Sequence, residues 1–426
     1  MTPQQLFEKR KNNEFFNTSY PLLPEDWVPY KQIGELDFSS CDELSFYLHI
    51  PFCQHLCPFC EYRRMLLPSS EMQRHYLQGV HADIHDFIQK HPSFTLMGWD
   101  IGGGTPTALD DGNFSYLMDI YQESVDALPI VEDFEPSIEG TFQTMTAYKL
   151  SRIKEAHLRR VSMGVQSTVA HVQRSNGRVN PLLDVMADKI SEIHAMGIDK
   201  VNLDLMYGLK YQTIEDIQQD LLNITQLSPE QITLYELRTN QTGQKINADK
   251  SELFHFYDTL YDGLIAHGYK GRYGQNTFTK DHSDLGLSSY LRYRMLQGLP
   301  YKGFGLSAQS SSYSGVSYNC GKQGDTIDGI LKFDRYPVED NYVLPPRERL
   351  SKYIAISGYF GGFSISVANA ILHGDFKSEF EQELDFCLSE HLLTFEGDEL
   401  RITRKGFKHY GAVFSLFYKS KAELLQ

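Results

Sequence analysis

Residues 47–60 read Tyr47-Leu48-His49-Ile50-Pro51-Phe52-Cys53-Gln54-His55-Leu56-Cys57-Pro58-Phe59-Cys60, and this stretch decides the fold. It holds three of the chain's six cysteines, directly after a short apolar run that is typical of a β-strand. A structural zinc site normally closes its tetrahedron with four protein ligands. A cube-shaped iron–sulfur cluster held by three thiolates instead leaves one iron free to bind another molecule. The spacing favours such a cluster, and the alternatives are buried thiols or a zinc site completed by His49 or His55.

The composition excludes several classes of protein. The formal net charge of -15 argues against broad nucleic-acid binding, because neutralising phosphates requires clustered Lys and Arg. The longest apolar runs fall far short of the roughly 18 residues that a membrane-spanning helix needs. The first ten residues lack the apolar segment of a signal peptide, and the six cysteines are not spaced like a disulfide framework. We therefore expect a cytoplasmic protein with no nucleic-acid partner and no membrane span.

Short apolar runs alternate with helical patterns from Leu44 onwards. The predicted strands cover residues 44–50, 96–101, 134–139, 160–166, 201–207 and 231–237. Six βα units with right-handed crossovers predict an α/β fold, a partial (β/α)6 barrel, with its functional residues at the carboxyl ends of the strands. The chemically informative residues fall at those ends: the cysteine loop, the run Gly102-Gly103-Gly104-Thr105-Pro106-Thr107, Glu139, Gln166 and Asp204. Loops that are distant in sequence are therefore expected to meet at one mouth.

The regions around the barrel (44–240) differ in pattern. Residues 1–43 are expected to form an extended arm on the main domain and a candidate lid, because Tyr20-Pro21 and Leu23-Pro24 interrupt any helix. Residues 241–345 are expected to extend the barrel with an aromatic, glycine-rich segment on the substrate side. The candidates for a flat aromatic-ring pocket are Tyr235, Tyr269, Tyr273 and Phe278. In residues 346–426, helices precede a hairpin that turns at Gly397-Asp398, and a single helix is expected from about Lys405 to Tyr418. This order predicts an α+β, winged-helix-like C-terminal domain.

The motifs carry a resemblance to a known family. The cysteine stretch, in the form Y-L-H-I-P-F-C-x-x-x-C-x-F-C, and the glycine run resemble the radical S-adenosylmethionine superfamily, and within it the oxygen-independent coproporphyrinogen III oxidase family. Ser162-Met163-Gly164-Val165-Gln166-Ser167 and residues 202–209 match as well. The resemblance implies a 4Fe-4S cluster, S-adenosylmethionine chelated by its free iron, and cleavage to a 5′-deoxyadenosyl radical. It also implies a tetrapyrrole-like substrate and a reductant such as flavodoxin or ferredoxin.

The resemblance further implies roles for single residues. Cys53, Cys57 and Cys60 are expected to hold the cluster. The expected contacts of S-adenosylmethionine are Tyr47, Phe59, Gly103, Gly104, Thr105, Glu139, Gln166, Arg178 and Asp204. Members that resemble the decarboxylase hold two S-adenosylmethionine molecules, so one or two are expected here, and haem is a further ligand that the family allows. No catalytic residue is assigned.

Three branches of the family stay open. Glu61-Tyr62 after Cys60 resembles the haem-chaperone branch, although Gln309 stands where many chaperone-like members have histidine. Asn17-Thr18-Ser19-Tyr20-Pro21 partly resembles the decarboxylase, and Ile138-Glu139-Gly140 resembles the anaerobic haem-degrading methyltransferases. The first hypothesis is a radical enzyme that decarboxylates, methylates or ring-opens a tetrapyrrole. The second is a haem chaperone, and the third is a zinc-stabilised binding module.

Overall fold

A twelve-stranded sheet forms the centre of the computed structural model, which describes residues 1–11, 20–22, 24–238, 248–281, 283–321 and 338–418. Six of its strands are parallel and adjacent in chain order. They are β1 (Glu43–Ile50), β2 (Thr95–Gly103), β3 (Ser137–Gly140), β4 (Arg160–Gln166), β5 (Lys200–Tyr207) and β6 (Gln231–Glu236). The sheet is open, so the predicted partial barrel is confirmed. Only β3 is clearly shorter than predicted, because Phe134 lies in the turn before it.

Helices connect these strands and pack their apolar faces on the sheet. They span Ser70–Lys90, Asp111–Asp126, Ala147–Glu155, Ala170–Ser175, Leu183–Ala195, Ile214–Leu227 and Lys250–Ala266. Most begin at a polar cap, as at Thr213, whose side chain accepts from the Asp216 N–H in a capping box. The core beneath them is aromatic at β1, where the Phe46 ring centroid lies 5.2 Å from that of Trp99. None of the helices in the described ranges combines the length and apolarity that crossing a membrane requires.

The rest of the large sheet comes from the aromatic, glycine-rich segment. Its strands are β7 (Thr277–Thr279), β8 (Tyr301–Phe304), β9 (Gln309–Ser311), β10 (Gly315–Asn319) and β11 (Val338–Val343), and the two-residue strand Lys31–Gln32 pairs with β11. Strand β7 is antiparallel to β6, whereas β8 runs parallel to β1 with Tyr301 opposite Ser45. A seventh parallel strand, which the sequence did not predict, therefore lies beside β1, the strand that leads into the cysteine loop. Helix Ser289–Leu296 connects β7 to β8.

The C-terminal region combines helices with a small sheet. Its helices are Pro346–Ser357, Ile365–Leu372, Phe376–Glu379, Glu381–Ser389, Arg404–Phe407 and Tyr410–Ser415. Its strands, Gly362–Ser364, Leu393–Glu396 and Glu399–Ile402, form a three-stranded sheet, and the hairpin turns at Gly397-Asp398 as predicted. The single closing helix predicted for residues 405–418 is wrong. The backbone at His409 leaves the helical conformation (φ -132°, ψ 34°) and divides it into two short helices.

The N-terminal arm is not the extended segment that the sequence predicted. Residues Pro3–Arg10 form an α-helix, because Thr2 and Gln5 make a capping box around a proline at the first helical position. This helix packs on the C-terminal domain, where Arg10 Nη1 donates to the Ser415 carbonyl at 2.7 Å. The stretch Asn17-Thr18-Ser19, which partly resembles the decarboxylase, lies outside the described residues.

A buried carboxylate anchors the second half of the arm. Glu348, which is 4% exposed, accepts hydrogen bonds from the Tyr20 hydroxyl and from Trp27 Nε1, the latter at 3.2 Å. Both donors are themselves buried. Among the described residues of the arm, none lines the cavity at the carboxyl ends of the barrel strands. The described part of the arm is therefore not a lid over that cavity.

Candidate active site

A cavity of about 540 Å³ lies where the carboxyl ends of the barrel strands meet. Cys53, Cys57 and Cys60 line it. So do all but one of the residues expected to contact S-adenosylmethionine: Phe59, Gly103, Gly104, Thr105, Glu139, Gln166, Arg178 and Asp204. Five neighbouring strands and the segments that follow them thus bring these residues together in a single site.

Tyr47 is the exception. Its ring stacks on that of Tyr290, with centroids 5.8 Å apart and planes at 22°, and its hydroxyl lies 3.2 Å from His49 Nδ1. Burial raises the pKa of Tyr47 well above its usual value. The structure therefore places Tyr47 behind the cavity wall and does not bring it to the surface of the cavity.

The cysteine loop packs against the glycine run that follows β2. Thr105 Oγ1 lies 3.7 Å from Cys53 Sγ. A Cβ atom at position 104 would lie 2.9 Å from the same sulfur and 2.8 Å from the Phe52 carbonyl, so only glycine fits there. Burial raises the pKa of the Cys53 and Cys60 thiols, while the Thr105 hydroxyl acts in the opposite direction on Cys53. Metal coordination would offset the cost of ionising these buried thiols.

Arg178 approaches the loop from the other side. Its Nη1 atom lies 3.9 Å from Cys57 Sγ, its Nε donates to Asn180 Oδ1 at 3.2 Å, and its Nη2 donates to the Gly164 carbonyl. The guanidinium predicted to bind a carboxylate is therefore already engaged by protein acceptors. A free carboxylate would have to compete with the Gly164 carbonyl for it.

The geometry discriminates between a cluster and a zinc ion. In the described ranges, no three Cys, His, Asp or Glu side chains are grouped closely enough to hold one metal ion. A cubane needs no such grouping, since each thiolate binds a different iron. His49, a candidate fourth zinc ligand, has both ring nitrogens engaged, with Nε2 2.8 Å from the Arg63 carbonyl and Nδ1 near the Tyr47 hydroxyl. Burial lowers its pKa to about 4. The three-thiolate cluster therefore fits these residues, and His49 is not free to complete a zinc site.

Gln166 carries two marks of a binding residue. Its backbone lies in the left-handed region (φ 70°), which side chains other than glycine adopt at a cost. Gln166 lines the cavity, and its Oε1 atom is buried and has no hydrogen-bond partner. A buried acceptor without a donor is costly, and strain of this kind concentrates where ligands bind. The side chain is thus suited to accept a hydrogen bond from a bound molecule.

A buried arginine, which the sequence analysis did not single out, lies deeper in the cavity. Arg160 opens β4 and is 4% exposed. Its Nε donates to Gln231 Oε1 at 2.7 Å and its Nη1 donates to Ser137 Oγ at 2.8 Å. The available signal in the sequence was a charged residue at the start of an otherwise apolar strand. It gave no reason to expect a buried arginine, because strand starts are usually exposed to solvent.

Three carboxylates face this arginine. Burial raises the pKa of Asp100 and of Asp204 to about 7, and it raises that of Glu139 as well, while Arg160 lowers all three. Glu139 accepts from the Gly103 N–H at 3.0 Å, and Asp204 accepts from Asn202 Nδ2 at 2.7 Å. Near neutral pH, Asp100 and Asp204 can therefore either donate or accept a proton. Asp100 was not predicted, although it lies three residues before the end of β2, as Asp204 does in β5.

The opposite wall is largely aromatic and includes the C-terminal domain. It contains Tyr235, Tyr359, Phe407 and Tyr410 together with Leu287, Leu291, Met295 and Ile356. Glu61 and Tyr62 also line the cavity, and Glu61 Oε1 lies 3.9 Å from Arg238 Nη1. The Arg238 guanidinium in turn lies 4.4 Å from the centre of the Tyr359 ring. The cysteine loop is thereby connected to the C-terminal domain.

Three of the four aromatic residues predicted for a ring pocket are not in the cavity lining. Only Tyr235 belongs to it. Tyr269 is buried and donates to the Pro229 carbonyl at 2.7 Å, Tyr273 donates to Asp258 Oδ1 at 2.6 Å, and Phe278 is fully buried. Composition marked this segment as aromatic, but it could not tell core positions from lining positions.

Comparisons with known proteins agree with this site. Residues 47–223 match the model of the radical SAM superfamily. The heme chaperone HemW of Bacillus subtilis (strain 168) is 26% identical over 317 residues, which cover 72% of this chain and 81% of the relative. The oxygen-independent coproporphyrinogen III oxidase of Paracoccus denitrificans (strain Pd 1222) is 30% identical over 232 residues, which cover 51% of this chain and 49% of that relative.

A solved structure shows the same fold over nearly the whole chain. Coproporphyrinogen III oxidase from Escherichia coli superposes with a TM-score of 0.76 at 21% identity, covering 95% of this chain and 97% of that one. Residues 47–223 therefore form a radical SAM domain. The chain is similar to heme chaperones and to oxygen-independent coproporphyrinogen III oxidases, and it shares its fold with the solved coproporphyrinogen III oxidase.

Proposed function

We propose that this protein is a radical S-adenosylmethionine enzyme that acts on a tetrapyrrole-like substrate by oxidative decarboxylation, methylation or ring opening. One observation carries the proposal: the three thiols share a single cavity with the polar strand ends and with an aromatic wall. A volume of about 540 Å³ is in the range of pockets that bind cofactors and substrates. Apolar rings opposite polar groups suit a large, flat substrate that carries polar substituents.

Proteins of this superfamily carry a 4Fe-4S cluster and bind S-adenosylmethionine. When bound, the reduced cluster supplies the electron that cleaves S-adenosylmethionine to a 5′-deoxyadenosyl radical. Cys53, Cys57 and Cys60 would hold the cluster. Thr105 and Arg178 direct an O–H and an N–H donor towards Cys53 and Cys57 and would stabilise the charge of the thiolates. A flavodoxin or ferredoxin would supply the electron.

The strand ends would bind S-adenosylmethionine, as one molecule or two. The carboxylate of Glu139 is suited to an ammonium group or a ribose hydroxyl, and Asp204 is suited to ribose hydroxyls. Gln166 would accept a hydrogen bond through its unpartnered Oε1 atom. Gly103 and Gly104 let the backbone approach the ligand closely, and Phe59 would pack on its apolar part. Asp100 and Asp204, with pKa values near 7, can hold or release a proton beside the substrate.

Cleavage of S-adenosylmethionine tests the enzymatic activity directly. Anaerobically reconstituted protein with dithionite is expected to release 5′-deoxyadenosine, and the Cys53→Ala variant is expected to release none. Incubation with coproporphyrinogen III and with haem, followed by mass spectrometry, then identifies the substrate and the reaction. If protein with a full complement of iron and sulfide does not cleave S-adenosylmethionine, the enzymatic proposal is wrong.

A haem chaperone is the second candidate. Glu61 and Tyr62, the pair that resembles this branch, line the cavity, and several of the similar proteins are named heme chaperones. Gln309 does not supply a ligand in place of the histidine common in that branch. Its amide is held between the hydroxyls of Tyr301 and Tyr318, at 2.5 and 2.7 Å. Titration with haem at micromolar concentration tests this candidate, because a protein that does not shift the Soret band is not a carrier. A Soret shift without conversion of the haem under the anaerobic incubation would support the chaperone over an enzyme that acts on haem.

A further inference from the structure

Arg294 stands out among the charged residues of the cavity. It lies on helix Ser289–Leu296, between β7 and β8, and lines the cavity. Tyrosines surround it. Its guanidinium carbon lies 4.6 Å from the centre of the Tyr301 ring and 5.6 Å from that of Tyr290, and its Nη1 donates to the Tyr290 hydroxyl at 2.9 Å. Tyr47, stacked on Tyr290, is the third tyrosine close enough to act on its charge.

No acceptor of opposite charge accompanies this guanidinium. Among the described residues, no carboxylate lies within 4 Å of it, and its Nε atom is buried without a hydrogen-bond partner. The tyrosine hydroxyls do not replace a carboxylate, because burial raises the pKa of Tyr290 and of Tyr301, so both remain neutral. A partly buried cation thus faces the cavity with neutral tyrosine hydroxyls and two ring faces as its partners.

The other arginines of the cavity are better satisfied. Arg160 donates to Gln231 and Ser137, and Arg238 pairs with Glu61. Arg64 donates to two backbone carbonyls, and Arg178 donates to Gly164 and Asn180. Each therefore has at least one charged acceptor or two neutral acceptors from the protein. Arg294 is held by tyrosines alone, and its Nε atom, like that of Arg64, is buried without a partner.

We propose that Arg294 binds a carboxylate of the molecule that occupies this cavity. A buried charge without a counter-charge is costly, and a ligand carboxylate would remove that cost by pairing with the planar guanidinium. Arginine suits this role, because its N–H groups match the two oxygens of a carboxylate and its plane stacks on aromatic rings. The tyrosines hold the guanidinium at its faces and at Nη1, and the ligand carboxylate would pair with its remaining N–H groups. Arg294 is then a specificity-determining residue.

The carboxylate has two sources, and the inference rests on the proposed function for both. It belongs either to a carboxylate side chain of a tetrapyrrole or to the methionine part of S-adenosylmethionine. The two sources differ in what the loss of Arg294 weakens. In the first case the loss weakens binding of porphyrins with free carboxylates and spares their esters. In the second case it weakens binding of S-adenosylmethionine itself.

The experiment compares four proteins under anaerobic conditions: wild type, Arg294→Met, Arg294→Lys and Arg292→Met. Arg292 is the matched control, since it lies two residues earlier on the same helix, outside the cavity lining, and pairs with Asp133 at 2.6 Å. Each cluster-loaded protein is titrated with mesoporphyrin IX, with its dimethyl ester, and with S-adenosylmethionine. Arg294→Lys keeps the positive charge and also reports on binding if the Met variant does not fold.

If the carboxylate belongs to the substrate, the wild-type protein is expected to bind mesoporphyrin IX, the diacid, more tightly than its dimethyl ester. Arg294→Met then weakens diacid binding about tenfold or more, abolishes that preference, and leaves ester binding unchanged. If the carboxylate belongs to S-adenosylmethionine, Arg294→Met is instead expected to lose a similar amount of affinity for S-adenosylmethionine. Arg294→Lys retains part of the affinity in either case, and Arg292→Met behaves like wild type.

Arg294→Met protein that binds all three ligands as wild type does would overturn the inference and leave the proposed function intact. Wild type that binds neither porphyrin would instead refute the proposed substrate class. The S-adenosylmethionine titration alone would then decide the role of Arg294, and an unchanged affinity there would refute it.

Discussion

The carboxylate of Glu139 accepts a hydrogen bond from the backbone N–H of Gly103 at 3.0 Å, so one side chain joins the carboxyl ends of β2 and β3. Gly102 makes this approach feasible. A Cβ atom at that position would lie 2.7 Å from the carboxyl carbon of Glu139 and 2.8 Å from both of its oxygens. The position of Glu139, a proposed contact of S-adenosylmethionine, thus depends on the absence of a side chain at Gly102 on the neighbouring strand.

Gly102→Ala is expected to displace Glu139 and to weaken S-adenosylmethionine binding about tenfold. The free energy of unfolding is expected to change little, because the group that must move is the end of a flexible side chain. Isothermal titration and urea denaturation measure the two effects. Gly112→Ala is the control, since its Cβ would meet no atom closer than 3.6 Å. Unchanged affinity in Gly102→Ala would show that Glu139 does not contact the ligand.

Single replacement of Cys53, Cys57 or Cys60 by alanine is expected to abolish the broad visible absorption of the cluster, because each thiolate would bind a different iron. Iron and sulfide analysis of the reconstituted protein checks the loss. Cys320→Ala is the control, since Cys320 does not line the cavity. A variant that keeps the full spectrum would identify its cysteine as a bystander.

The stability of the cofactor-free protein is expected to depend on the ionisation of Asp204. Burial and the nearby Glu139 raise its pKa to about 7, so the folded state holds this proton more tightly than the unfolded chain does. The free energy of unfolding therefore falls as the pH rises from about 4 to about 7, and the full penalty applies above that range.

Asp204→Asn removes this penalty. Its free energy of unfolding at about pH 8 is expected to exceed that of wild type by on the order of 1–2 kcal/mol, with no gain at about pH 4. Urea denaturation at both pH values measures the difference. Asp188→Asn, at an exposed position, controls for the lost charge. An equal gain at both pH values would rule out the buried carboxylate as its cause. S-adenosylmethionine binding is expected to weaken in Asp204→Asn, as often happens when a strained site is relieved.

The anchor of the N-terminal arm is expected to contribute to stability and not to binding. Glu348→Leu leaves the buried donors of Tyr20 and Trp27 without their acceptor, which is expected to lower the free energy of unfolding by about 2–4 kcal/mol. Glu348→Gln keeps an acceptor oxygen and is expected to lose less than half as much. Equal losses in the two variants would point to packing instead of hydrogen bonding. Affinity for S-adenosylmethionine is expected to stay unchanged in both.

The barrel could be predicted because its signals are local. Apolar runs, strand ends and the cysteine spacing all lie within short windows of sequence, and strands β1 to β6 follow one another in the sheet. Strand β8 could not be found in this way, since it pairs with β1 across more than 250 residues of chain and its own four residues carry no distinctive pattern. The helix Pro3–Arg10 did have a signal, the Thr2 and Gln5 capping box, which the later prolines obscured.

Position along the strand explains part of the successes and omissions. Glu139 and Gln166 lie at or next to the last residues of β3 and β4, which reach the mouth of any such barrel, so they could be anticipated. Asp204 and Asp100 both lie three residues before the ends of their strands, and only Asp204 belongs to a stretch that resembles the family. Arg160 begins β4 and still lines the cavity. Arg294 comes from a helix after the barrel, and its contact with the cavity depends on the pairing of β8 with β1.

The aromatic wall at Tyr359, Phe407 and Tyr410 belongs to a part of the chain with a sheet of its own. The floor of the cavity, with its thiols and carboxylates, belongs to the barrel. Mutations can therefore remodel the shape of the wall while the cysteine loop stays unchanged. Side chains far from the cysteine loop in sequence thus determine the shape of the space beside it.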